Sequence, residues 1–205
     1  MNAIKPWLAT ATLAALLSAC ASTPPPAVLL TLPPAAAPLA AGAAPLPASA
    51  ASTPLLAVRR VVIPEYLVSR RVRYRADAST LAEWPNTYWA ERVEIGVSRE
   101  FVSAVRQQLP GWAVCDANCG DQRPALALQV ELVPLDYLRG ERMLQARARL
   151  TLSTGGAPPE VLRTEELTYR VPGDADTAQG QAQAMAKLIG QVAGAAATMI
   201  RAAPP

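Results

Sequence analysis

Alternating apolar and polar positions mark the middle of the chain. Every second residue from Leu126 to Leu132 is Leu or Val, and every second residue from Leu144 to Leu152 is Leu or Ala. A period of two places these side chains on one face of a strand. The pattern predicts two antiparallel strands, each with one buried face, joined by a turn or short loop at Tyr137–Glu141.

Three further segments are predicted to be strands. Leu56–Ile63 is rich in β-branched residues and ends at Pro64. Arg71–Arg75 alternates arginine with Val and Tyr, and we expect its arginine face to lie in solvent. Val161–Val171 follows a turn rich in Gly and Pro.

Two longer segments carry apolar residues at the spacing of one helix face. The first runs from about Thr87 to Leu109 and stops at Pro110, with Trp84 in a loop before it. The second runs to Ile200 from an N-cap at 174 or 176, where Asp stands at both positions. Its apolar face consists of Met185, Leu188, Ile189, Val192, Ala196 and Met199.

The order strands, helix, strands, helix predicts an α+β fold for residues 55–205. We expect a single domain in which two long helices pack on one face of a mainly antiparallel or mixed sheet. About 150 residues are enough to bury a proper core.

The first residues have the pattern of an export signal. Lys5 precedes thirteen uncharged residues, Trp7–Ala19, whereas a spanning helix needs about 20 apolar residues. Residues 1–19 are therefore interpreted as a signal peptide. The segment Leu17–Cys20 resembles the bacterial lipobox, in which the Cys is acylated; the alternative is an ordinary signal with a chance Cys at its end.

Cys20 is thus the predicted lipidation site. Two or more acyl chains anchor a protein stably where one does not. Ala21 follows where lipoproteins retained in the inner membrane often carry Asp, and this resemblance implies an outer-membrane lipoprotein that faces the periplasm.

Residues 20–54 are interpreted as the lipidated Cys and an Ala/Pro-rich tether. The 34 residues after Cys20 include 12 Ala and 9 Pro and have no charge. Fully extended they reach on the order of 100 Å at about 3.1 Å per residue. The exception is 28–32, a short apolar run between prolines that is predicted to be an edge strand.

Composition and charge exclude several classes of function. The net charge of +3 is too small to indicate a nucleic-acid partner. The chain contains no His, which removes Ser-His-Asp triads, Cys-His pairs and His-ligated zinc. We therefore expect no catalytic residues, no metal site and no cofactor.

Cys115 and Cys119 lie in a polar loop four residues apart. In an oxidising periplasm this pair is best interpreted as a disulfide. A redox or metal-binding pair is the alternative, although the sequence has neither a nearby third Cys nor the Cys-x-x-Cys spacing.

A larger pattern resembles a known family. The predicted lipobox is followed by a short apolar strand, a Pro/Ala-rich gap, Val61–Leu67 (Val-Val-Ile-Pro-Glu-Tyr-Leu), a basic stretch, Leu81–Trp84 and the helix through Phe101. This resembles the ABC-type transport auxiliary lipoprotein family with its PqiC-like (YmbA-like) members, over nearly the whole mature chain.

The resemblance implies a non-catalytic auxiliary subunit. Its partners would be an MCE-domain transporter protein with its associated permease or ATPase, in a system that moves lipids or other hydrophobic compounds between the membranes and supports membrane integrity. The long helices and the basic strand are compatible with a homo-oligomer around a transporter tip, but they do not require one.

Candidate partner-binding residues cluster between positions 59 and 84. The stretch from Arg59 to Arg75 holds six Arg and one acid, and Arg forms bidentate pairs with carboxylate and phosphate. The alternative is a solvated strand face that protects a sheet edge. Trp84 is either an exposed anchor or a core residue. The predicted partner-binding residues are Glu65, Tyr66, Arg70, Arg71, Arg73, Arg75 and Trp84.

Two other hypotheses remain at this point. A lipid carrier would need an internal apolar cavity on the order of several hundred Å³ to hold an acyl chain. A structural envelope lipoprotein would serve no transporter.

Overall fold

The computed structural model describes residues 26–35, 53–116 and 119–203. The predicted signal peptide, Cys20 and most of the predicted tether lie outside these residues. The strands are β1 (Val28–Leu30), β2 (Leu55–Val58), β3 (Arg71–Arg75), β4 (Leu81–Trp89), β5 (Ala113–Cys115), β6 (Leu126–Leu138), β7 (Met143–Thr154) and β8 (Val161–Pro172). The helices are α1 (Val93–Gln108) and α2 (Ala178–Arg201).

The eight strands form one mixed sheet. The hydrogen-bonded order is β1-β4-β3-β6-β2-β5, and β7 and β8 continue from the other side of β6. The pairs β6/β7, β7/β8 and β3/β4 are antiparallel, whereas β1, β2 and β5 join through parallel pairs. The predicted α+β class with a mixed sheet is confirmed.

Strand β6 is the centre of the sheet. Along one side it pairs with β7 over almost its whole length. Along the other it pairs first with β2, then with Val62 and finally with β3 at Leu138. The segment 56–63, predicted as one strand, is therefore interrupted between Val58 and Val62, and a 3-10 helix follows at Glu65–Leu67.

The long strand β6 also corrects the predicted turn at Tyr137–Glu141. The register of β6 against β7 shifts between Leu132 and Leu135. Beyond this shift the strand continues to Leu138, and only 139–141 form a 3-10 turn. A bulge inserts one residue and restores the buried face beyond it. The alternation that ends at Leu132 resumes one position later with buried Leu135 and Tyr137.

Strand β4 replaces the predicted start of the first helix. The helix begins at Val93, and the segment from Leu81 to Trp89 pairs with β1 on one side and β3 on the other. Pro85 and Asn86 fall at the irregularity in this strand, where Asn86 adopts a φ of 48°. Hydrogen bonding to strands on both edges makes this segment a strand, and the periodicity of its sequence does not reveal that pairing.

Helix α2 begins later than predicted. Its N-cap is Thr177, whose side-chain oxygen accepts a hydrogen bond from the Gly180 N–H. The carboxylates of Asp174 and Asp176 pair instead with Lys187 and Arg139. The predicted apolar face from Met185 to Met199 is buried.

The core lies between the sheet and the two helices, which pack against each other. On β7 the even-numbered residues from Leu144 to Leu152 are buried, while Arg147 and Arg149 are exposed on the opposite face. The helices therefore cover one face of the sheet, as predicted. Leu30, Leu32 and Ala35 belong to this core.

Candidate functional site

Strand β3 brings most of the predicted partner-binding arginines together. Arg71, Arg73 and Arg75 lie one, three and five positions into the strand, beside Glu83 of β4 and Asp136 of β6. We call these five residues the β3 arginine cluster. Arg71 and Arg73 share the carboxylate of Glu83, and Arg75 pairs with Asp136, which is 61 positions away in the chain.

Glu83 pairs with two of the arginines. Its Oε2 lies 3.1 Å from Arg71 Nη1, and its Oε1 accepts a 3.2 Å hydrogen bond from Arg73 Nε. Arg73 Nη1 also donates to the Tyr66 carbonyl at 2.8 Å. These contacts attach the 3-10 helix to β3 and β4.

Asp136 pairs with the third arginine. Its Oδ1 lies 3.1 Å from Arg75 Nη2 and accepts a 2.9 Å hydrogen bond from the Tyr66 hydroxyl. The Arg75 guanidinium lies 5.7 Å from the centroid of the Tyr66 ring. The Arg75 side chain is only 21% exposed, so the expectation of a fully solvated arginine face is wrong for this residue.

Tyr66 stays a hydrogen-bond donor at neutral pH. Burial raises the pKa of its hydroxyl above the usual value, and the hydrogen bond to Asp136 raises it further. The hydroxyl therefore stays protonated and donates its hydrogen bond to Asp136.

Trp84 is a core residue rather than an exposed anchor. It is 7% exposed, and its Nε1–H donates to Oε1 of buried Gln181 at 2.8 Å. Gln181 Nε2 donates in turn to the Arg73 carbonyl at 2.7 Å, which joins α2 to β3 and β4. Arg139 covers the outer side of the Trp84 ring at 4.3 Å from its centroid.

The two remaining predicted residues differ from this cluster. Arg70 Nη2 donates to the Ala90 carbonyl at 2.9 Å. Glu65 is exposed, and its side chain has no hydrogen bond or ion pair within the part of the chain that the structure describes. The predicted partner-binding role of these residues stays a prediction.

Arg59 and Arg60 present the opposite situation. They belong to the basic stretch but not to the predicted partner-binding set. Both are exposed, and neither side chain has a hydrogen-bond or ion-pair partner among residues 26–35, 53–116 and 119–203. One sequence signal points to them: no Asp or Glu precedes Glu65, so they have no acidic neighbour on their N-terminal side.

Among the described residues, the two cysteines have a structural role. Cys115 and Cys119 form the predicted disulfide, with their Cα atoms 5.3 Å apart. Within those residues no group of three or more His, Cys, Asp and Glu is placed to hold a metal ion. The described helices include none with the length and apolarity needed to cross a membrane.

One pocket between the helix layer and the sheet is very small. A pocket lined by Trp89, Leu135 and Met185 among others has a volume of about 10 Å³. This is the volume of a single water at most. An acyl chain does not fit there.

The family described as the ABC-type transport auxiliary lipoprotein component matches residues 36–197. The chain belongs to this family. As a member of this family, the protein is a lipoprotein that serves as an auxiliary component of ABC-type transport. The resemblance to this family that the sequence shows is confirmed. No curated protein matches the chain.

Solved structures support the fold. The crystal structure of an uncharacterised protein is similar with a TM-score of 0.68 and 17% identity, over 86% of this chain and 99% of its own. A DUF330 protein from Xanthomonas campestris is similar with a TM-score of 0.62 and 16% identity, over 85% of this chain and 97% of its own. At these identities the likeness concerns the fold alone.

Proposed function

We propose that this auxiliary lipoprotein is anchored in the outer membrane through Cys20 and serves an ABC transporter that contains an MCE-domain protein. In this proposal residues 1–19 are the cleaved signal peptide, residues 20–54 hold the anchor and tether, and residues 55–205 carry the docking domain. The transport system moves lipids or hydrophobic compounds across the periplasm and maintains membrane integrity.

The observation that carries the proposal is the family match over residues 36–197. The lipobox-like Leu17–Cys20 segment supports the anchor, and the Cys115–Cys119 disulfide suits an oxidising compartment. The proposed role is non-catalytic, which is supported by the absence of His from the sequence and by the pairing of the β3 arginines with Glu83 and Asp136.

The filled core favours docking over the carrier hypothesis. A carrier needs an apolar cavity on the order of several hundred Å³. The pocket between the helices and the sheet has about 10 Å³, far below that size.

The anchor is tested by substituting Cys20→Ser in the full-length precursor. We expect the protein to leave the membrane fraction, and the diacylglyceryl mass at the mature N-terminus to disappear from mass spectra. The matched control replaces the other two cysteines, Cys115→Ser and Cys119→Ser, and is expected to remain in the membrane.

The location and the partner are tested with the lipidated wild-type protein. We expect it to sediment with outer-membrane markers in a density gradient and to co-purify with an MCE-domain protein after cross-linking. Sedimentation with inner-membrane markers would contradict the outer-membrane assignment. Failure to associate with an MCE-domain protein, together with an intact permeability barrier in a deletion strain, would overturn the transporter role.

A further inference from the structure

A groove runs between helix α1 and the end of strand β2. Its volume is about 400 Å³, and Arg59 and Arg60 lie along one side. Ile95, Val102 and Arg106 line the side formed by α1. We call it the Arg59–Arg60 groove.

The groove combines an apolar floor with positive charge. Val58 and Val102 are buried at its base, and Ile95 is 43% exposed along its wall. An exposed Ile beside a concave surface gives a ligand apolar area to cover. Ile95 and Arg106 are eleven positions apart on α1, which corresponds to about 16 Å along the helix axis.

The charge of the groove is not neutralised internally. Arg99 is paired with Glu91 and Glu100, but Arg106 donates only to the Val114 carbonyl. Arg59 and Arg60 have no carboxylate partner in the described part of the chain. Asp116 is the single carboxylate that lines the groove, against these three guanidinium groups.

The backbone holds the arginine pair in place without using its side chains. The Arg59 N–H donates to the Leu128 carbonyl at 2.9 Å, and the Val61 N–H donates to the Ser98 hydroxyl at 3.1 Å. The segment between these anchors interrupts the pairing of β2 with β6. These bonds fix the backbone on either side of Arg60, while the guanidinium donors of both arginines have no partner among residues 26–35, 53–116 and 119–203.

The shape of the groove favours a peptide over a membrane. Val58 and Val102 are buried, so a planar bilayer surface would reach the exposed arginines but not these two side chains. A length of about 16 Å holds about five extended residues. Carboxylates on such a segment would form charge-assisted hydrogen bonds with the guanidinium groups.

We infer that the Arg59–Arg60 groove binds a short segment of a partner protein in which Asp or Glu residues flank an aliphatic side chain. The carboxylates pair with Arg59 and Arg60, and the aliphatic side chain covers Ile95 and the floor. The inference rests on the proposed function, because it names the surface through which the docking domain engages its transporter.

The test uses the full lipidated chain in nanodiscs of zwitterionic lipid and a phage-displayed library of random peptides. We expect selected peptides to be enriched in Asp and Glu next to Leu, Ile or Val. The double variant Arg59→Gln, Arg60→Gln is expected to weaken binding of the selected peptides by at least about tenfold, and Ile95→Ser by about threefold.

The matched control is Arg142→Gln, Arg147→Gln, which removes the same charge from exposed arginines whose side chains have no partner among the described residues. It is expected to bind the peptides as the wild type does. Equal weakening in both double variants would mean unspecific charge attraction and would overturn the inference. A selection without acidic enrichment would overturn it too.

Two further outcomes have a defined meaning. If the arginine variant loses binding to vesicles containing phosphatidylglycerol while peptide binding is unchanged, the groove contacts lipid headgroups and the peptide proposal fails. If the wild type and the variant co-purify equally with the MCE-domain protein, the groove is not the docking surface although the proposed function stands. Loss of co-purification in the variant alone supports both.

Discussion

The arginines at the two ends of the basic stretch from Arg59 to Arg75 have different surroundings in this fold. At β3, Arg71, Arg73 and Arg75 pair with carboxylates from neighbouring strands, and the guanidinium of Arg75 is largely covered. At the end of β2, Arg59 and Arg60 are exposed and lack side-chain partners within the described residues. A guanidinium group that is paired with a carboxylate contributes to the fold, whereas one without a partner among the described residues is available for a ligand.

The difference follows from where the acids lie. Asp136 and Glu83 belong to strands that pair beside β3, so the sheet itself brings opposite charges together. The residues that line the grooves beside Arg59 and Arg60 are mainly uncharged, and Asp116 is the one carboxylate among them in the described part of the chain. Similar residues therefore acquire different roles through their neighbours.

The largest expected effect comes from breaking the covered pair with Asp136→Ala. The charge of Arg75 would lose its carboxylate and the Tyr66 hydroxyl its acceptor, in surroundings where Asp136 is only 13% exposed. We expect the free energy of unfolding to fall by about 2–3 kcal/mol in urea denaturation.

The matched control for that change is Asp174→Ala, which removes a carboxylate from an exposed pair with Lys187. It should cost less than about 1 kcal/mol. Similar losses in the two variants would show that burial does not distinguish the β3 arginine cluster from an ordinary surface ion pair.

A smaller effect is expected for Trp84→Phe, which keeps an aromatic ring in the core but removes the donor to Gln181. The buried Oε1 of Gln181 would be left without its partner, at a cost of about 1–2 kcal/mol in the free energy of unfolding. Trp112→Phe, at a half-buried position whose indole N–H has no partner among the described residues, is the control and should cost less.

If Trp84 instead served as a partner anchor, the phenylalanine variant would keep its stability and lose association with the transporter. Equilibrium unfolding and co-purification, measured on the same preparation, separate these outcomes.

The smallest effect on stability is expected for Arg59→Gln, Arg60→Gln. Because the two side chains are exposed and unpaired within residues 26–35, 53–116 and 119–203, the free energy of unfolding should change by less than about 0.5 kcal/mol. The same variant is expected to lose the selected peptides. A stability loss comparable to that of Asp136→Ala would remove the contrast between the two regions.

Sequence periodicity succeeded where one face of an element is buried along its whole length. The alternation at Leu144–Leu152 and the apolar face of α2 both report a continuous contact with the core. It failed at β4, whose residues alternate poorly because Pro85 and Asn86 interrupt the strand. The periodicity also predicted too short a strand at β6, because the bulge after Leu132 shifts the alternation by one residue.

For the candidate site, the sequence predicted only which types of residue are present. The sequence showed that arginines concentrate between residues 59 and 75. It did not show that Asp136, distant in the chain, would pair with Arg75. Pairing between strands far apart in sequence decides which charges meet, and no local pattern encodes it.

The amino-acid sequence by itself determined the secondary structure of the continuous amphipathic segments, the family, the lipobox-like segment and the Cys115–Cys119 pair, since each depends on residues that are neighbours along the chain. Only the tertiary structure decided that β3 carries ion pairs and that the side chains of Arg59 and Arg60 have no partner within the described part of the chain. The reason is physical: the energy of a charge depends on burial and on the distance to its counter-charge, and both are set by how the sheet assembles.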